Sequence, residues 1–301
     1  MPHETAIELA ARAVEYRGMQ RFDQARKLHD EAIALGGSTP ELLIERGVTN
    51  YFAGNLGAAE TDLQSALTAD PNSVRALLYL ALSAEQSGKR DQALETYDKL
   101  LRIDAACGVA YVNRGFLNQQ FGRPEDAFAD YDHALRINSA DHKAHYNRGN
   151  LLYSLKRYDE CFAAYGEALS INPTYLRAYA NRGATYLESG SYAEAIRDFT
   201  DAIRCEPRAV LPLVNRGIAR WKSGDHNAAF EDLTRAIDLS PIDPSPLIAL
   251  ADLLEQDGNW REAIEYLDKA ALIDPRIGRR TSELRRRIGE TAEKQKRSRS
   301  D

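Results

Sequence analysis

The sequence contains few cysteines, and the three present are far apart. Cys107, Cys161 and Cys205 cannot all pair, and their wide spacing matches neither a disulfide framework nor a zinc site. Unpaired thiols of this kind are typical of proteins from a reducing compartment.

Long apolar runs are also missing, since no stretch approaches the roughly 18 residues that a membrane-spanning helix needs. The first residues lack the basic start and the short apolar core of a secretory signal. We therefore expect a soluble, cytoplasmic protein with no membrane partner.

The formal net charge of −6 is unevenly distributed. Residues 276–301 contain ten Lys or Arg and four Asp or Glu, a net charge of +6, which leaves −12 on the remainder. An acidic body argues against general affinity for nucleic acid. The basic stretch from Lys294 to Arg299 resembles a nuclear-import patch, but we interpret it as the solvated end of a helix.

The chain does contain an internal repeat. Blocks of 34 residues align without insertion or deletion from Ala6 to Ile277, and we number the places within a block from one to 34. The predicted repeats are residues 6–39, 40–73, 74–107, 108–141, 142–175, 176–209, 210–243 and 244–277. Residues 278–301 follow them as a capping helix and basic tail.

Each block has the pattern of two helices joined by a turn. Places eight and twenty are occupied by Ala, Gly or, once, Cys161, so two antiparallel helices can approach closely. Glycine at place fifteen of six blocks predicts a left-handed end to the first helix, with Gln20 and Lys156 as the exceptions. Proline at place thirty-two of five blocks ends the second helix.

These blocks resemble tetratricopeptide repeats, which have small residues at places eight, twenty and twenty-seven, an aromatic at twenty-four and proline at thirty-two. The resemblance implies an all-α fold, a right-handed α-solenoid or superhelix of eight helix-turn-helix repeats. It also implies a noncatalytic scaffold that binds a partner protein. Because the ends of such an array need polar covers, Thr281 to Arg297 is predicted to form a capping helix, with Ile277, Leu284 and Ile288 on its apolar face.

In this family the first helices of successive repeats line a concave groove through places two, five, six, nine, twelve and thirteen. Place six is asparagine in four consecutive blocks, which we call the asparagine ladder: Asn113, Asn147, Asn181 and Asn215. An asparagine side chain offers both a donor and an acceptor, so a row of them can pair with the main chain of an extended peptide. The ladder resembles the one that lines the superhelix of O-GlcNAc transferases. The alternative is that these residues diverged little after duplication and bond to a neighbouring helix.

The resemblance places seven further candidates around the ladder, in a groove centred on repeats four to seven. These peptide-binding candidates are Lys143, Tyr146, Asn150, Arg177, Phe116, Tyr153 and Trp221. Aromatic anchors among polar groups supply binding energy at interfaces, and the two cations favour an acidic ligand segment. Co-chaperones of this family grip chaperone C-termini with a clamp whose cations are absent here, so we do not expect that role.

Arginine recurs at place seven, next to the ladder, as in Arg114 and Arg182. Aspartate recurs at place twenty-three of the same hairpins, as Asp130, Asp198 and Asp232. We interpret the arginines as partners in internal ion pairs rather than as a basic groove.

Nothing in the sequence indicates catalysis. The six histidines occupy unrelated places, so no nucleophile, base and orienting group converge. His142 and His145 lie one helical turn apart, but no third metal ligand is positioned beside them. The glycines recur at block spacing rather than in a phosphate-binding loop. We therefore expect no enzyme activity, cofactor, metal or nucleotide.

Two other interpretations stay open. In one, the chain is the targeting or regulatory subunit, or a fragment, of a larger enzyme complex whose catalytic part lies elsewhere. In the other, the chain self-associates through its end repeats.

Overall fold

The computed structural model describes residues 5–286, and the regular secondary structure within that range is entirely helical. The first eight helices are α1 (Ala6–Gly18), α2 (Phe22–Gly36), α3 (Pro40–Phe52), α4 (Leu56–Ala69), α5 (Val74–Gln86), α6 (Arg90–Ile103), α7 (Gly108–Gln120) and α8 (Pro124–Ile137). The next eight are α9 (His142–Ser154), α10 (Tyr158–Ile171), α11 (Leu176–Glu188), α12 (Tyr192–Cys205), α13 (Val210–Lys222), α14 (His226–Leu239), α15 (Ser245–Gln256) and α16 (Trp260–Ile273). A 3-10 turn at Pro275–Ile277 leads into helical residues 278–286.

The chain forms two compact units, Met1–Asn147 and Arg148–Asp301, with the division inside α9. Within the first unit each helix from α1 to α8 packs on its sequence neighbour, and α1, α3 and α5 also lie side by side. Within the second unit the helices from α10 to α16 pack in the same way, and α11, α13 and α15 lie side by side. Within each unit, therefore, these three first helices lie on a common face.

Local sequence signals start and stop the helices. Thr5 forms a capping box with Glu8 at the start of α1, and Thr39 and Ser73 cap α3 and α5 through their side chains. The first helix begins at place one of seven blocks; in the eighth it begins one residue later, at Ser245. Wherever proline occupies place thirty-two, the second helix has ended two residues before it.

The turn between the two helices of a repeat uses a left-handed residue at place fifteen. The six glycines at that place have φ between 68° and 92°. Gln20 and Lys156, the two exceptions in the sequence pattern, adopt the same conformation, with φ of 59° and 57°. The turn geometry is thus shared by all eight blocks whichever residue occupies the place.

Close approach of the paired helices depends on the small residues at place eight. A Cβ atom on Gly149 would lie 2.7 Å from the Tyr165 ring, and one on Gly115 would lie 2.8 Å from the Tyr131 ring. Both tyrosines occupy place twenty-four and are buried. The missing methyl groups therefore leave room for the large rings that fill the core of each hairpin.

The predicted array of helix-turn-helix repeats with a C-terminal capping helix is confirmed. Leu284 is buried in the core formed by α13 to α16, and Ile277 packs against that core. Arg280 pairs with Asp252, and the Arg285 guanidinium lies 2.5 Å from Asp268. The helical run already begins at residue 278, earlier than the predicted start at Thr281, while residues 287–297, including Ile288, lie outside the described range.

Candidate functional site

The asparagine ladder divides into two classes. Asn113 lies close enough to the hydroxyl of Tyr97, on the second helix of the preceding repeat, to lower the pKa of that hydroxyl against the effect of burial. The Asn181 amide donates to Asn150 Oδ1 at 2.9 Å, and the Tyr165 hydroxyl donates to the same oxygen at 2.7 Å. For Asn113 and Asn181 the structure thus supports the alternative interpretation, in which the side chain bonds to a neighbouring repeat.

Asn147 and Asn215 form the second class. Both are half-buried, on the first helices α9 and α13. Within residues 5–286 neither side chain takes part in a hydrogen bond. Asn215 follows a repeat with Phe199 at place twenty-four, which has no hydroxyl to offer. Each unit therefore presents one ladder amide whose donor and acceptor are available to a ligand.

The other candidates on the first helices differ in accessibility. Lys143 and Arg177 are exposed and, in the described part of the chain, form no ion pair, whereas Tyr146 is half-buried. Tyr153 is 41% exposed and donates a 2.6 Å hydrogen bond to Glu188, which raises the pKa of Tyr153 to about 12. Its hydroxyl is thus held in place rather than free.

Trp221 requires a correction, because it was expected to line the groove as an aromatic anchor. Its side chain is only 9% exposed and belongs to the apolar core of α13 to α16, together with Leu253 and Leu254. The ring also packs against His226, with ring centroids 4.5 Å apart. A large apolar ring gains more from this core than from water, so it is unavailable as an accessible anchor.

The predicted ion pairs between places seven and twenty-three are confirmed. Arg182 donates to both carboxylate oxygens of Asp198 at 2.8 Å, and Arg216 grips Asp232 in the same way at 2.9 and 2.7 Å. Burial is the largest influence on the pKa of Asp198 and raises it despite the arginine. These bidentate pairs join the two helices of the hairpins that contain them, so the arginines are structural.

Sequence reasoning missed the second half of this network. Arg46 pairs with Asp62 at place twenty-three of its own repeat and, through Nη1, with Asp30 of the preceding repeat at 2.8 Å. Arg114 likewise reaches Asp98 of the preceding repeat at 2.7 Å. Asp30 and Asp98 share place twenty-five, so aspartate recurring there was the signal that could have revealed these links.

A cleft on the first unit contains functional candidates that the sequence did not suggest. It measures about 370 Å³ and lies between α3, α5 and α7; we call it the α3–α5–α7 cleft. Its lining includes Tyr51, Leu82, Glu85, Asn113 and Phe116, all at places six, nine or twelve. Phe116, predicted from the sequence, is 39% exposed there.

Glu85 is the charged group inside this cleft. Its carboxylate accepts one hydrogen bond, from the Tyr97 hydroxyl at 3.1 Å. Burial raises the pKa of Glu85 above its usual value, and within residues 5–286 no Lys or Arg forms an ion pair with it. Glu85 was overlooked because its neighbours come from three different repeats.

The described residues also bear on two possibilities, a bound metal ion and a membrane-spanning helix. Across residues 5–286 no group of three or more His, Cys, Asp or Glu side chains is arranged to hold a metal ion. His145 Nε2 lies 3.0 Å from the Ser139 carbonyl oxygen, so that ring interacts with its own backbone. Cys161 is buried, and burial raises the pKa of its thiol, as expected of a packing residue. In the same range no helix is both long and apolar enough to cross a bilayer.

Comparisons with known proteins agree with this architecture. Models described as tetratricopeptide repeat match residues 10–73, 45–106, 142–175, 164–197 and 220–285. A tetratricopeptide repeat protein from Parabacteroides merdae is similar in structure, with a TM-score of 0.61 and 23% identity over 83% of this chain and 99% of the other. Yeast Tom70 matches with a TM-score of 0.61 and 19% identity over 100% of this chain and 66% of its own.

A third similar structure is that of YrrB, described as a TPR protein with an unusual peptide-binding site. It matches with a TM-score of 0.50 and 21% identity over 60% of this chain and 92% of its own. At these levels of identity the likeness to solved structures concerns the fold. Together with the repeat models along both units, it shows that the chain belongs to the tetratricopeptide repeat family.

Proposed function

We propose that this chain is a noncatalytic scaffold that binds an extended segment of a partner protein on the surface of its first helices. Tetratricopeptide repeat proteins mediate protein–protein interactions, and YrrB is described as having a peptide-binding site. The observation that carries the proposal is that the half-buried amides of Asn147 and Asn215 form no hydrogen bond within residues 5–286.

A polar side chain that is partly removed from water gains from a ligand that completes its hydrogen bonds. A peptide backbone alternates N–H donors and C=O acceptors, which suits the carbonyl and amide of asparagine. Such recognition is independent of the ligand's side chains, so it fits a binder of extended segments. Of the four ladder asparagines in this chain, only Asn147 and Asn215 are therefore proposed to act like the ladder of O-GlcNAc transferases.

The acidic preference of the ligand remains a prediction. Lys143 and Arg177 are exposed without ion pairs in the described range, so both charges are available to carboxylates of a bound segment. Exposed charges of this kind mainly raise association rates and are screened by salt.

The proposal is tested by selecting displayed random peptides on the full-length chain and measuring Kd for a selected peptide by calorimetry. The double substitution Asn147→Ala with Asn215→Ala removes the ladder amide of whichever unit holds the peptide and should raise Kd up to about tenfold, because the lost hydrogen bond contributes roughly 0.5–1.5 kcal/mol. Asn227→Ala, at an exposed position on the second helix α14, is the matched control and should leave Kd unchanged.

Two results contradict the proposal. One is that selection yields no binding peptide; the other is that the double variant binds as tightly as the wild type. Asn181→Ala is a poorer test than the sequence suggested, because it also removes the bond to Asn150. Weaker binding by that variant could result either from a lost contact with the peptide or from altered packing between the two repeats.

A further inference from the structure

The carboxylate of Glu85 lacks the cationic partner that Glu45 and Glu60 of the same unit have in the described part of the chain. Glu45 is paired with Arg17, at 2.9 Å, and with Arg75. Glu60 is paired with Lys89 at 2.5 Å. Glu85 has only the Tyr97 hydroxyl, which leaves a desolvated negative charge without a cation in the described part of the chain. A buried carboxylate in this state favours any ligand that brings a positive charge.

Aromatic rings stand beside this carboxylate. Tyr51 contacts Phe52 and Tyr79 edge to face, with ring centroids 5.3 and 5.6 Å apart, and Phe52 and Tyr79 are 6.0 Å apart. Tyr51 and Phe116 both line the cleft, one from α3 and the other from α7. The faces of such rings attract ammonium and guanidinium groups, and the attraction grows when water is partly excluded.

We propose that the α3–α5–α7 cleft receives a Lys or Arg side chain of the bound segment, whose cation pairs with Glu85 and packs against Tyr51 and Phe116. The proposal rests on the proposed function, since it assigns a residue type to one position of the partner. At about 370 Å³, the cleft has room for one long side chain. Recognition here is specific for a side chain, whereas the ladder amides recognise backbone.

The cleft also contains one cation of its own, Arg90, at the start of α6. Arg90 is exposed and forms no ion pair with Glu85, so solvent screens its repulsion of an incoming charge. Removing this charge as Arg90→Gln should improve binding of a basic peptide by about twofold at low salt.

The test uses labelled peptides with alternating Ala and Ser around one central residue, which is Lys, Arg, norleucine or Glu. Binding to the full chain is followed by anisotropy and by the methyl resonances of Leu82, which lines the cleft. The Lys and Arg peptides should bind at least tenfold more tightly than the norleucine peptide, because a charge-assisted bond replaces an apolar contact.

Glu85→Gln keeps the size of the side chain and its bond to Tyr97. It should weaken the Lys peptide about tenfold and leave the norleucine peptide unchanged, while Phe116→Leu should weaken the Lys peptide a few-fold. Unfolding curves should show that Glu85→Gln is no less stable than the wild type, since it removes an uncompensated charge.

The possible failures are distinguishable. Equal Kd values for all four peptides, or a Lys peptide insensitive to Glu85→Gln, overturn the cation site but leave backbone recognition intact. A Lys peptide that does not shift the Leu82 resonances at millimolar concentration also overturns the site. The proposed function fails separately, if the display-selected peptides are insensitive to Asn147→Ala with Asn215→Ala.

Discussion

Gln20 and Lys156 end the first helices of their repeats in a conformation that ordinary residues avoid. Their φ angles of 59° and 57° lie in the left-handed region, where the other six repeats have glycine. Both side chains are exposed, and the backbone N–H groups already bond to Arg17 and Tyr153 carbonyl oxygens at 2.9 Å. Replacement by glycine therefore removes strain without removing a buried contact.

The size of the effect follows from two opposing contributions. A residue with a Cβ atom loses about 1–2 kcal/mol in the left-handed region, which glycine does not. Glycine in turn adds roughly 0.5–1 kcal/mol of conformational entropy to the unfolded chain. We expect Gln20→Gly and Lys156→Gly each to raise the free energy of unfolding by about 0.5–1 kcal/mol.

Urea unfolding followed by far-UV circular dichroism measures this change in each single variant. Gly54→Gln, at φ of 77°, is the reverse control and should lower the free energy of unfolding by a similar amount. If the glycine variants are less stable than the wild type while Gly54→Gln is neutral, the reasoning about the turn is refuted.

Three other substitutions test the packing and electrostatics. Gly166 occupies place twenty-five, where Asp30 and Asp98 stand in other repeats, and a Cβ on it would lie 3.6 Å from Arg182 Nη1. Gly166→Asp should therefore stabilise the chain by about 1 kcal/mol relative to Gly166→Asn in urea unfolding. Gly149→Val should destabilise it by about 2–3 kcal/mol, because the added atoms would overlap Tyr165. Burial lowers the pKa of His29 to about 4, so between pH 7 and 5 the ring takes up a proton in the unfolded chain but stays neutral in the folded one. The free energy of unfolding should therefore fall by roughly 2 kcal/mol over that range, and this fall should be absent from His29→Leu.

The sign of the His29 effect depends on its surroundings. The buried ring lies 3.1 Å from Thr49 Oγ1, and after burial itself the charges of Glu45, Arg17 and Arg46 have the largest influence on the pKa of His29. Since the pKa of His29 is lower in the folded chain than in the unfolded one, the stability contributed by the neutral ring is fully present above about pH 6.5 and is lost as pH falls towards 4. An unchanged slope in His29→Leu would show that folding does not lower the pKa of His29.

The framework of the fold could be predicted from sequence because each hairpin depends on residues within one block. Gly149 and Tyr165 lie sixteen places apart in a single repeat, and their contact recurs at the same spacing elsewhere. Periodicity therefore carries the packing information directly. The exceptions at Gln20 and Lys156 show that the position of the turn is kept even where glycine is absent.

The functional surface was less predictable because it depends on contacts between repeats. Asn113 and Asn215 occupy the same place, yet only Asn113 follows a repeat with a tyrosine hydroxyl to bond. Trp221 shares place twelve with the partly exposed Tyr153 but is buried in its core. Glu85 is a candidate because it is half-buried and has no ion pair in the described part of the chain, and the sequence of a single repeat does not show this.

The central claim is that first-helix amides recognise the backbone of a partner segment. It is tested most directly by comparing a display-selected peptide with versions methylated at single backbone nitrogens. Methylation at the contacted position should weaken binding to the wild type about tenfold but change little in the variant Asn147→Ala with Asn215→Ala, because the bond is already lost. Equal losses in both proteins would contradict the account.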